Sequence, residues 1–412
     1  LFNGLKKWFS SILSGVQQGV KTILGSLRKT PSPLVDRIMA DALRLAELPS
    51  PTEGETERIR FIKERLDALG VQSLLDEGGF LWARLAGERQ REGDPLLLYT
   101  NVGTAHWHQT YSLGRVTTEK AYGSGLSDAL GPALLISLAE ARETGALPLH
   151  TDVVLLFAAQ HSEALDEALF SRLARDRLLR PQVALIVQGF LLGRVTTKTL
   201  GTHRLEVIVG GAPGTLAGGP AGSGTIGGGP AGSGGAKSSD AVKATVEIAQ
   251  KLAGLSWDTS GSTRCWIRRI EAGSGFGKEA TEGVLEIELE SAAEDLLKMA
   301  VQVASATAQT TATALGVGAT IHNRGSIPVG QDRLMEPVTK KITSLCRDHH
   351  IKVQETSSPD MSAFFTVHGV PAATLGVAQG KEGLTQDEID IASLEKGREL
   401  LFALLSSLDK EG

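Results

Sequence analysis

The residues able to do chemistry gather in a few short stretches. His106-Trp107-His108, Asp128, and His161 with Glu163 offer imidazoles and carboxylates, the donor types that hold zinc. Residues two apart on a strand share a face, so His106 and His108 would present both imidazoles to one ion. One reading of Asp128, His106, His108, His161 and Glu163 is a rearranged metal site. The other is that two histidines beside a tryptophan line a cleft without metal. Different chemistries fit less well. Ser124, Ser127 and Asp128 share a loop, but Gly-Ser-Gly-Leu-Ser lacks the spacing of a nucleophile elbow. The glycines are not followed by the Lys-Ser/Thr of a phosphate loop, and no strand-turn-helix fingerprint accompanies them. His349 and His350 follow Cys346 at a helix end, where a histidine satisfies carbonyls more readily than it binds metal. Asp360 follows Pro359, a turn or cap position.

The elements that must position these residues follow from hydrophobic periodicity. Helices are predicted over Leu34–Leu48 and about Glu55–Leu69, then strands around Val71–Leu75, Phe80–Leu85 and Leu96–Tyr99. A helix after Asp128, a buried strand Val153–Phe157, a helix near Glu163–Leu173 and a strand Val183–Val187 continue the alternation. Strands alternating with helices imply a mostly parallel sheet covered on both faces. From His203 the order becomes strand Arg204–Val209, helix Ser239–Leu252, strands Thr263–Ile270 and Val284–Glu290, helix Glu294–Leu315 and strand Ala319–Asn323. That β-α-β-β-α-β order is ferredoxin-like. The α/β style then returns with a helix over about Leu334–His349, strands near Lys352–Glu355 and Ala372–Gly376, and a closing helix Ile391–Leu408. The expected organisation is an α/β domain (31–202 and 326–412) interrupted by a ferredoxin-like α+β lid (203–325), behind an amphipathic helix (1–30).

In that first segment Leu5, Trp8, Phe9, Ile12, Leu13, Val16, Val20, Ile23, Leu24 and Leu27 recur at helical spacing, one apolar face. Lys6, Lys7, Lys21, Arg28 and Lys29 stand there without an acid. Polar residues interrupt every turn, unlike the continuous apolar core of a signal peptide. The face is expected to meet a membrane surface or an assembly partner, the alternative being packing on its own domain. The whole chain has a net charge of −5 over 412 residues, so the remainder after that basic segment is more acidic still, which disfavours nucleic acid. Two cysteines, Cys265 and Cys346, make no disulfide framework. The expected location is the cytoplasm, with peripheral membrane contact as the alternative. Of 48 glycines, 13 fall between Gly210 and Gly235, where Gly-Gly-Pro-Ala-Gly-Ser-Gly occurs twice. This reads as a polar-neutral loop or as a place of close packing between subunits.

Several phrases carry a resemblance: LAELPSPTEGETERIRFIKERLDALG, PLLLYTNVGT, AYGSGLSDALGPALLISLAEA and SSPDMSAFFTVHGVPAATLG. Together with the element order, they resemble the co-catalytic zinc metallopeptidase family of aminoacylases, dipeptidases and glutamate-type carboxypeptidases over roughly residues 34–408. The resemblance implies a zinc-peptidase-like mixed sheet flanked by helices, and an inserted lid that makes a dimer contact.

It also implies two metal ions, whose ligand positions map onto this chain one at a time. The first-strand His-x-Asp position is Asn101 and Gly103, and the bridging aspartate is Asp128, with Leu130 where a lysine usually follows. The paired glutamates fall on His161 and Ser162, the next carboxylate on Gln188, and the last histidine on Leu384. A lid histidine is also missing, since none stands between His203 and His322. Amides bind zinc poorly, and glycine or leucine not at all. These losses predict an inactive, cofactor-free homo-oligomer with a structural, assembly or membrane-surface role. The alternatives are an active zinc-dependent peptidase or amidohydrolase with the rearranged site, and a peptide or small-molecule binding module that reuses the cleft.

Overall fold

The computed structural model describes residues 32–48, 56–88, 94–103, 114–158, 181–210, 241–259, 261–273, 275–276, 280–383 and 385–409. The expected N-terminal helix with its apolar face Leu5–Leu27, the expected helix near Glu163–Leu173 and nearly all of the glycine tract lie outside these residues.

In chain order the elements are α1 (Pro33–Glu47), α2 (Thr56–Ala68), β1 (Ser73–Leu75), β2 (Phe80–Leu85), β3 (Leu96–Asn101), β4 (Arg115–Val116), β5 (Lys120–Gly123), α3 (Leu126–Glu143), β6 (Val153–Ala158), β7 (Val183–Leu192) and β8 (Arg194–Gly210). Then follow α4 (Ala241–Gly254), β9 (Arg264–Ala272), β10 (Glu282–Ser291), α5 (Glu294–Ala314), β11 (Gly318–Ile327), α6 (Asp332–Asp348), β12 (Gln354–Pro359), α7 (Ser362–Val367), β13 (Ala372–Gly376), β14 (Gly380–Lys381), β15 (Asp387–Asp390) and α8 (Ile391–Asp409).

The main sheet has the order β1-β2-β6-β3-β7-β13. Its centre is parallel, because β3 runs with both β6 and β7, and β7 with β13. Strands β3 and β6 are continuous apolar runs with nearly every residue buried, as a strand covered on both faces requires. One face packs on α1, α3 and α8, where Val35, Ile38, Leu134, Leu138 and Leu401 join Leu98 and Leu155. The other face is closed by Phe364 and Phe365 of α7 against Tyr99, Leu97 and Leu156. Fully buried Arg58 of α2 donates to the carbonyls of Leu48 and Val102, which ties the chain leaving β3 to the helical layer.

A second sheet, β11-β8-β10-β9, is antiparallel throughout. Leu205, Val207, Leu285 and Ile287 face α4 and α5, while the opposite face carries charged residues such as Arg204, Glu206, Arg268 and Glu288, with Trp266 exposed among them. Strand β8 is shared between two environments: its first half pairs in parallel with β12 and its second half with β10 and β11. The sequence suggests only a short strand here, Arg204–Val209, but β8 runs unbroken for 17 residues, because its first half finds a second partner in β12. Strand β12 lies later than expected and is built from polar residues, Gln354–Pro359, which hydrophobicity does not mark. A third, small antiparallel sheet, β14-β15-β5-β4, is not marked by hydrophobicity either. It sets the loop before α3 beside the start of α8. Among the described residues, no helix is long and apolar enough to cross a membrane.

Candidate functional site

The C-terminal ends of β3 and β7 and the first turn of α3 open on a cleft of about 530 Å³. The second sheet supplies part of its wall. Asn101, Asp128 and Gln188 line it, as do Glu382, Arg204 and Arg324. Ile327, Met361 and Phe364 add an apolar side.

Asp128 reaches this cleft because α3 starts unusually close to the sheet. A Cβ on Gly189 would lie 1.7 Å from the Ser127 carbonyl oxygen, and one on Gly131 would lie 2.3 Å from Thr100 Oγ1. Only glycine permits such an approach. Helix α3 begins after Gly125, which is left-handed at φ 65°. Asp128 then sits in the first turn, where a carboxylate is favoured by the helix dipole. Its Oδ2 is buried and, among the described residues, has no hydrogen-bond partner. An unpartnered buried carboxylate oxygen costs free energy, so this atom fits a cation.

Asn101 ends β3, and its side-chain oxygen accepts from the Gly103 amide at 3.0 Å. Gln188 lies within β7 with its side chain exposed toward the cleft. Thus Asn101, Asp128 and Gln188 are brought together, with Gly103 just beyond β3. His106, His108, His161, Ser162, Glu163 and Leu384 lie outside the described residues. Among the described residues, no three His, Cys, Asp or Glu side chains converge as a metal site requires. Among the described residues, the fit to a metal therefore rests on Asp128 alone.

Other candidates from the sequence resolve into structural roles. Ser124 donates to the Thr385 carbonyl at 2.6 Å. His349 caps α6, its backbone N–H on the Leu345 carbonyl. Asp360 lines the cleft but is held by the Ser362 amide and the Thr374 hydroxyl. Two features carry no clear sequence signal. Glu382 enters the cleft from the loop after β14, two residues before the position that sequence matching selects. Arg204 and Arg324 come from strands whose alternation predicts outward charge but not which surface lies opposite.

Both arginines are held in ion pairs. Arg324 binds Glu206 at 2.5 Å, and Arg204 binds Glu288 at 2.8 Å, with Arg268 on the same Glu288 carboxylate. Burial pushes the Glu288 carboxyl up, but hydrogen bonds and charge from Arg268 and Arg204 outweigh it and hold the group below its ordinary range.

No family model matches the chain. A protein of Pyrococcus abyssi with the provisional name LysW-lysine/LysW-ornithine hydrolase is 36% identical over 98 residues, 23% of this chain and 27% of that relative's length. Solved structures match along nearly the whole chain. A tripeptidase from Staphylococcus aureus has a TM-score of 0.67 at 15% identity, covering 93% of this chain and all (100%) of its own. The aminopeptidase PepT from Bacillus cereus has a TM-score of 0.64 at 15% identity, covering 91% and 98%. YxeP from Bacillus subtilis, described as a dinuclear metal-binding peptidase of the M20 family, has a TM-score of 0.58 at 13% identity, covering 92% and 99%. The chain thus has the mixed α/β fold of the M20 peptidases and amidohydrolases.

The comparisons overturn the expectation of an inactive, cofactor-free structural or assembly protein. The proteins that share this fold are named peptidases and hydrolases, and one is named for its two metals. The inference of loss required ligands to stand at matched sequence positions. The cleft instead holds the unsatisfied Asp128 oxygen and a carboxylate, Glu382, that the matching does not assign.

Because the folded pKa of Glu288 is depressed, its stabilising contribution is present above the unfolded glutamate pKa of about 4.3 and is lost as pH falls through the folded value. Urea denaturation between pH 7 and pH 3 is expected to show a steeper acid loss of stability in the wild type than in Glu288→Gln. Parallel curves would contradict the Arg204–Glu288–Arg268 arrangement.

Proposed function

We propose that the chain is a metal-dependent hydrolase of peptide or related amide bonds, working in this cleft. The observation that carries the reading is the buried Asp128 Oδ2, unpartnered among the described residues, in a fold shared with named peptidases, one of them described as binding two metals. Zinc is the proposed metal, with Asp128 as one ligand. His106, His108, His161 and Glu163 are the proposed remaining donors, and they belong to the segments that continue in sequence from the C-terminal ends of β3 and β6. When bound, zinc supplies Lewis acidity to a scissile carbonyl and makes water a nucleophile near neutral pH.

The chain's own residues do the rest. Asp128 supplies negative charge and a fixed oxygen. Glu382 is the cleft carboxylate assigned to accept the proton of the attacking water. Arg204 and Arg324 face a substrate carboxylate, which would replace part of their pairing with Glu288 and Glu206. Ile327, Met361 and Phe364 form an apolar wall for a substrate side chain. The substrate class is therefore an amide with a nearby free carboxylate, such as a short peptide or an N-acyl amino acid.

The purified chain is expected to release free amine from a tripeptide or an N-acyl amino acid, to lose that activity with a chelator, and to regain it with zinc. Asp128→Ala is expected to lower kcat/KM by at least about a hundredfold, roughly 2.7 kcal/mol. Chelator-resistant turnover, or an unaffected Asp128→Ala, would contradict the reading. Arg324→Ala is expected to raise KM about tenfold or more, the cost of one charged hydrogen bond, with kcat little changed. An unchanged KM would remove the carboxylate from the substrate class.

Residues 203–325 are proposed as a lid that pairs with a second copy of the chain. In support, β9 is an edge strand exposing Trp266 and Ile270, 42% and 49% accessible, and an uncovered edge is a template for pairing. Ile270→Lys is expected to shift the sedimentation coefficient from dimer to monomer, and a wild type that sediments as a monomer would sink this proposal.

A further inference from the structure

Asp387 is 1% exposed, and it lies 260 residues from Ser127, which it holds. Its Oδ2 accepts the Ser127 backbone N–H at 3.0 Å and the Ser127 hydroxyl at 3.0 Å. Its Oδ1 accepts the Gly383 amide at 3.3 Å. A helix N-terminus leaves its first amides without partners, and a side chain at the N-cap normally fills one of them. Helix α3 has Gly125 at that position and no side-chain cap. Asp387 fills the gap from β15, and the pairing of Asp387 with Gly123 brings it there.

We infer that Asp387 is a positioning residue for Asp128, and this rests on the reading of Asp128 as a metal ligand. The residue fixed by Asp387 is the one immediately before Asp128. Holding both its amide and its hydroxyl sets the first turn of α3 and hence the direction of the Asp128 carboxylate, whose Oδ2 has no partner among the described residues. The same Asp387 carboxylate anchors Gly383, next to Glu382, so one buried group ties together the two chain segments that bring carboxylates to the cleft. The close seat of Ser127 on Gly189 leaves the turn little room to find another register. Partners that orient a metal ligand typically carry ten- to a hundredfold in affinity. Asp387→Asn keeps the shape but only one acceptor oxygen, so either Ser127, with both its N–H and its hydroxyl on one oxygen, or the Gly383 N–H must face the amide nitrogen.

The test is zinc affinity of the full chain, measured by competition with a chromophoric chelator, for wild type, Asp387→Asn, Ser127→Ala and Asp128→Ala. Melting curves of the same metal-free proteins run alongside. Asp387→Asn is expected to bind zinc about 10–100-fold more weakly, and Ser127→Ala, which keeps the backbone bond, about threefold or more weakly with an unchanged melting temperature. Wild-type affinity in Asp387→Asn, with affinity lost in Asp128→Ala, overturns the positioning role and leaves the proposed function standing. Wild-type affinity in Asp128→Ala overturns both. Should Asp387→Asn fail to fold, Ser127→Ala decides: wild-type affinity there overturns the inference.

Discussion

Everything at the cleft depends on how closely the first turn of α3 lies against the ends of β3 and β7. Gly189 and Gly131 remove the Cβ atoms that would hold the helix away. With that contact made, Asp128 points into the space between the two larger sheets, and its Oδ2 loses the water that would otherwise solvate it. The free energy of this arrangement is offset by the core around it. Leu130, Leu134 and Leu138 bury one side of α3 against Leu98 and Leu155, and burial of each such side chain stabilises by roughly 1.5–3 kcal/mol. A cation at Asp128 would satisfy a carboxylate oxygen that has no partner among the described residues.

The surrounding fold supplies the other constraints from distant parts of the chain. Arg58 fixes the exit of β3 through the Val102 carbonyl, and β15 brings Asp387 to the start of α3. Strand β8 carries continuous backbone from its pairing with β12 into the second sheet and places Arg204 over the cleft. Chemistry here is therefore assembled from chain segments that share little local sequence signal.

That explains what the sequence could and could not reveal. The apolar runs of β3 and β6 are legible because a strand buried on both faces has no polar alternation to lose. The helices α1, α6 and α8 are legible from their period, with bounds within one or two residues. Asp128 is legible because the glycine-rich turn before it and the apolar helix after it are both local. The polar strands β14 and β15 are not legible and β12 only at its start, since their pairing is chosen by tertiary context rather than by hydrophobicity. Asp387 and Glu382 are not legible for the same reason, and matching by position pointed past Glu382 to Leu384. The expectation of inactivity is overturned by the named peptidases and hydrolases that share the fold.

The most direct measurement is anomalous diffraction at the zinc edge from crystals of the full chain grown with zinc. A zinc-dependent cleft predicts an anomalous peak at about 2.0–2.2 Å from an Asp128 carboxylate oxygen, accompanied by ligands from the 104–113 and 159–180 segments. A cleft without an anomalous peak, or zinc bound only away from Asp128, would contradict a metal site built on this residue.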